Sequence, residues 1–108
     1  AFGHSRFSPS ADDGDVLVRS AQDALQVKIV GFTDGVGTVE ANRRVALLRA
    51  QAAKMYLVRR GVAASKISAE GQVGDYIAPN DTADGRAANR RVEFEFFGQY
   101  QASTPVNR

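Results

Sequence analysis

Apolar and polar residues alternate most cleanly in two short stretches of the chain. In "LQVKIVGF", Leu25, Val27, Ile29 and Gly31 alternate with Gln26, Lys28 and Val30, and β-branched residues are abundant. That pattern predicts a strand. In "RVEFEFF", Val92, Phe94 and Phe96 fall on one face and Glu93 and Glu95 on the other, as in a half-buried strand. A third strand is expected around Lys66 to Gly71, within "VAASKISAEGQ", and a short one from Phe2 to Phe7, ended by Pro9.

Between these strands the period lengthens. "SADDGDVLVRSAQDAL" opens with Ser10 as a cap and acidic residues suited to a helix N-terminus, predicting a short helix over 11–23. A long helix is predicted from Val39 to Arg60, with Thr38 as its cap, Glu40 in its first turn and Gly61 as its stop. Strand, long helix and strand in that order form a crossover, which places the two strands parallel. "VGDYIAPNDTADG" reads as a loop and Thr82 to Asn89 as a short helical turn; 99–108 reads as a polar, flexible tail.

One residue in the long helix resists the pattern. At roughly 100° per residue, Val45, Leu48, Ala52, Met55 and Tyr56 gather into an apolar stripe, extended on one side by Ala53 and Leu57. Arg49 lies within that stripe, roughly 20° from Tyr56 and roughly 40° from Ala53. A guanidinium cannot shed its charge, and burying it unpaired costs several kcal/mol. Arg49 must therefore reach water, meet an acid in the fold, or meet an anionic ligand. Asp34 is the candidate acid, just past the "VKIVGF" strand and shortly before the long helix. Strand ends and helix starts in such units are where open sheets place ligands. An acid and an arginine beside one cleft can read both ends of a zwitterion, the guanidinium gripping a carboxylate bidentately.

Composition narrows the class. The 108 residues suffice for one domain with one core. Without cysteine there are no disulfides or thiolate metal sites. The 14 basic and 12 acidic residues are too balanced to predict nucleic-acid binding. The chain begins at Ala1 with neither an initiator Met nor a signal peptide, so it is expected to be a domain of a longer protein that carries its membrane anchor elsewhere.

The stretch "GFTDGVGTVEANRRVALLRAQAAKMYLVRRG" resembles the OmpA-like peptidoglycan-binding domains. The family pattern of a strand ending in G-[HY]-T-D, then G-[ST], an Asn and R-A is met by Gly31, Thr33-Asp34, Gly37-Thr38, Asn42 and Arg49-Ala50. "ISAEGQ", Pro79, Asn80 and "GRAANRRVEFEF" continue the match. The resemblance covers roughly 25–97 and is weaker over the first 24 residues, within a domain placed at 1–98. It implies an α+β fold of βαβαβ type: a mixed sheet of about four strands with two main helices on one face. It also implies noncovalent binding of peptidoglycan through diaminopimelate, Asp34 holding the ammonium and Arg49 the carboxylate, with Asn42 and Arg90 in support. The implied setting is periplasmic, as part of an outer-membrane or envelope protein of a Gram-negative bacterium that the domain ties to the wall. Arg91 is expected to be structural. The chain departs from the pattern at Phe32, which keeps a ring but loses a polar tip; His4 is a further candidate for the pocket lining.

Other chemistries fit less well. His4 is the single histidine and has no nucleophile pattern beside it, so no enzyme and no catalytic residue is expected. Gly35-Val36-Gly37 lacks the further residues of a phosphate loop, and "NDTADG" would put Arg91 where a calcium loop needs Glu. No metal, cofactor or nucleic-acid partner is therefore expected. The alternative is a protein–protein assembly module of a secretion, conjugation or motor complex.

Overall fold

The computed structural model describes residues 7–98. Helix α1 (Ala11–Asp23) leads into strand β1 (Gln26–Gly31), helix α2 (Val39–Arg59) and strand β2 (Ile67–Gly71). Helix α3 (Ala83–Asn89) and strand β3 (Val92–Phe97) follow. The caps form as the sequence predicts: the side chains of Ser10, Thr38 and Thr82 accept from the backbone N–H groups of Asp13, Ala41 and Gly85. Each satisfies a donor that the first helical turn leaves without a partner. Past α2, Gly61 adopts a positive φ of 97°, a conformation that favours glycine after a helix end.

The sheet has the order β2-β1-β3. β1 and β2 are parallel, with Val27 opposite Ile67 and Gly31 opposite Gly71; β1 and β3 are antiparallel, with Ile29 opposite Phe94. The crossover through α2 thus produces the parallel pair that was expected. The expected count of about four strands becomes three among the described residues. Phe7 lies outside any strand, and the rest of the predicted Phe2–Phe7 strand, like His4 and the 99–108 tail, falls outside the described residues.

The core lies on one face of this sheet. Val27, Ile29 and Ile67 meet Ala21 and Ala24 from the α1 side and Ala50, Ala53 and Leu57 of α2. Phe7 closes one end, with its ring edge-on to both Tyr56 and Phe94. On the opposite face Lys28 lies 3.6 Å from Glu70 and 4.0 Å from Glu95, an exposed pairing of modest value.

The buried stripe of α2 differs from the predicted one. Asn42, Ala46, Arg49, Ala50, Ala53 and Leu57 are buried, an arc of roughly 100°, whereas Leu48 and Met55 stay exposed. The cause is in the sheet. A Cβ on Gly31 would lie 2.1 Å from the Ala46 carbonyl oxygen, and one on Gly71 would lie 2.6 Å from the Leu47 nitrogen. Paired glycines on the strands and alanines on the helix let the two backbones approach, so small residues fill the interface. Leu48 and Met55 are left outside. Arg49 remains at the edge of the true stripe, and the close approach carries it to the end of β1.

Candidate functional site

β1 ends at Gly31, and the chain turns through "FTDGVGT" before α2 begins. The turn is held by its own side chains. The Thr33 Oγ1 accepts from the Gly35 N–H at 3.3 Å, and the Asp34 Oδ1 accepts from the Val36 N–H at 3.0 Å, the local bonding that makes aspartate a turn former. Gly35 and Gly37 take positive φ angles of 79° and 100°. The ring of Tyr76 lies over Gly35, where an added Cβ would sit 1.9 Å from its hydroxyl oxygen.

Asn42 ties this turn to the helix. It is buried, and its Nδ2 donates to the carbonyls of Val36 at 3.0 Å and Thr38 at 2.8 Å. Arg49, about two turns further along the same face of α2, is 6% exposed and donates from Nη1 to the Phe32 carbonyl. That bond fixes the guanidinium against the end of β1. Arg90, which caps the C-terminus of α3, reaches across to Asp34, donating from Nη1 to Oδ2 at 2.7 Å.

The structure therefore brings all four predicted residues together. Asp34, Asn42, Arg49 and Arg90 line one open cleft, with Val36 and Val45 in its wall. Their roles differ: the Asn42 amide nitrogen is spent on the loop, whereas Asp34, Arg49 and Arg90 carry the charge.

Electrostatics hold the acid ionised. Burial raises the Asp34 carboxyl, but the Val36 N–H and the guanidinium groups of Arg90 and Arg49 outweigh it, leaving its pKa below the ordinary value. Burial and the like charge of Arg90 lower the Arg49 pKa, while Asp34 opposes them. Arginine starts so high that the group stays charged at neutral pH.

Two features escaped sequence reasoning. Asn89 is fully buried and organises the 72–82 loop: its Oδ1 accepts from the N–H groups of Ile77 and Ala78, and its Nδ2 donates to the Ala78 carbonyl and to Asn80 Oδ1. All four hydrogen bonds an amide readily makes are formed. The second is the seat of Arg91: a structural residue was expected, but not that it would lie 3.8 Å over the buried Phe32 ring and donate to the Asp75 carbonyl. Phe32 thus serves as a platform beneath Arg91. The nearest signal was "NRR" itself, read as two arginines entering a strand. Within the loop considered for calcium, Thr82 caps α3, and Asn80 accepts from Asn89 and, through its carbonyl, from Arg86.

Known proteins share this framework. Over 79 residues the chain is 43% identical to an outer membrane protein A of Bordetella avium, a match covering 72% of this chain and 41% of that protein. Over 100 residues it is 41% identical to the peptidoglycan-binding protein ArfA of Mycobacterium tuberculosis, covering 86% of this chain and 30% of the relative. The chain spans less than half the length of either. The solved structure of the cell wall anchor of the T6SS from Pseudomonas aeruginosa superposes with a TM-score of 0.66 at 27% identity, covering 90% of this chain and 78% of that one. Residues 2–90 match the OmpA family, well over half of the chain, and the protein belongs to that family.

Proposed function

We propose that this domain binds peptidoglycan noncovalently, through the zwitterionic end of diaminopimelate in the peptide stem. By that contact it ties a larger envelope protein to the wall from the periplasm. The observation that carries the reading is the cleft itself. Asp34, at the end of β1, and Arg49, on α2, present opposite charges to one cleft. A carboxylate accepts from the ligand ammonium and a guanidinium grips the ligand carboxylate. The proposed act is binding rather than catalysis. The relatives named for peptidoglycan binding and wall anchoring support it.

The test is a titration followed by amide NMR shifts, with one stem peptide containing diaminopimelate and one containing lysine. The first should shift resonances around Asp34 and Arg49; no shift there would refute the reading. The pH dependence follows from the depressed Asp34 pKa. The carboxylate is already ionised above its ordinary pKa, so affinity should be flat from about pH 7 to pH 5. It should be lost only as pH falls through the lowered folded value. An affinity that declines steadily between pH 7 and 5 would assign the ammonium contact to another group.

A further inference from the structure

Arg91 and Arg49 approach the sheet from opposite faces, yet both hold Phe32. The antiparallel register that sets Gly31 opposite Val92 continues one step further and sets Phe32 opposite Arg91. There the Phe32 N–H donates to the Arg91 carbonyl at 2.8 Å. Alternation turns both side chains to the face that carries Lys28, Glu93 and Glu95, away from the core. Lys28, Glu93 and Glu95 are well exposed on that face, but Phe32 is only 3% exposed. The Arg91 guanidinium lies 3.8 Å from the centre of its ring. It is kept there by Nε donating to Glu93 at 2.7 Å and Nη1 donating to the Asp75 carbonyl at 3.0 Å. From the core face, Arg49 of α2 donates to the Phe32 carbonyl. Phe32 is thus gripped at its N–H, its ring and its carbonyl, and a displaced ring displaces the carbonyl with it.

We propose that Arg91 is a positioning residue which, acting through Phe32, sets the orientation of the Arg49 guanidinium in the cleft. The inference rests on the diaminopimelate reading, in which Arg49 takes the ligand carboxylate. It adds a residue that stands outside the cleft lining and never touches the ligand. A two-pronged grip depends on the plane of the guanidinium, so a small turn of that plane loses one of the two bonds. A lysine in place of Arg49 has no plane to orient, being a point charge on a flexible stem.

The experiment measures the affinity of the full chain for a diaminopimelate stem peptide and, without ligand, the NMR resonance of the Arg49 Nε–H. Arg91→Ala keeps the backbone carbonyl that pairs with Phe32 and removes the stacked cation. It should weaken binding roughly tenfold, the scale of one desolvated cation–aromatic contact, and shift the Arg49 resonance. Phe32→Leu leaves the bonds of Arg91 to Glu93 and Asp75 possible, and it should weaken binding to a similar degree. The double variant should be little worse than either alone, because both substitutions break one contact. In an Arg49→Lys background, Arg91→Ala should cost less than threefold. A merely structural Arg91 would lower the urea midpoint, leave the Arg49 resonance in place and cost the same factor in both backgrounds; that result would overturn the proposal. So would native affinity in folded Phe32→Leu, since Arg91 would then act through the Asp75 loop. A native chain that does not bind the peptide would refute the diaminopimelate reading instead, while the unliganded Arg49 resonance still decides whether Arg91 positions Arg49.

Discussion

Arg49→Ala should lower affinity for a diaminopimelate stem peptide roughly 100-fold or more, while the domain still folds. Removing one partner of a desolvated, hydrogen-bonded charge pair typically costs 2–5 kcal/mol in binding. Arg49 sits in such a place: it is 6% exposed and anchored to the Phe32 carbonyl. The same substitution removes that bond and leaves a buried carbonyl with one partner fewer. A stability loss of about 1–2 kcal/mol is therefore expected alongside. Arg49→Lys should recover part of the affinity, since it restores charge but not the two-pronged grip. Calorimetric titration and urea unfolding of the same samples separate the two effects. A folded Arg49→Ala variant with native affinity would refute the carboxylate-gripping role. A large loss of stability with little loss of affinity would make Arg49 a structural residue.

The second large effect concerns the fold that places Arg49. Gly31→Ala should destabilise the domain by about 3 kcal/mol, and its binding site should loosen with it. The added Cβ would meet the Ala46 carbonyl oxygen at 2.1 Å and the Ala50 nitrogen at 3.0 Å. Both are helix backbone, which cannot rotate away as a side chain could, so α2 must lift from the sheet. Overpacking of a closed interface costs typically 1–3 kcal/mol and sometimes more, a large share of the 5–15 kcal/mol that stabilises an ordinary domain. The shift in urea midpoint at constant slope measures it. A loss below about 0.5 kcal/mol would mean that α2 does not pack as closely on β1 as described.

These two residues also show what could be read from the chain. β1, β3 and the capped helices were legible because alternation, caps and stop signals are local. Asp34 and Arg49 were legible because one sits at a strand end and the other violates a helical pattern. The buried face of α2 was not. Periodicity assigns large apolar residues to the interior, but Gly31 and Gly71 leave room only for Ala46 and Ala50, so Leu48 and Met55 face outward. The work of Asn89 was equally hidden, since its partners at Ile77, Ala78 and Asn80 are chosen by tertiary folding. Arg90 was placed at the site through its family pattern, yet its direct ion pair with Asp34, 56 residues away in sequence, emerged only in three dimensions.

In the proposed function this domain holds the cell wall through Asp34 and Arg49. Co-sedimentation with purified sacculi rich in diaminopimelate tests it most directly, with the native chain and Asp34→Ala side by side. The native chain should pellet with the sacculi, and the folded Asp34→Ala variant should remain in the supernatant. A native chain left in the supernatant, or a variant that pellets equally well, would contradict the account.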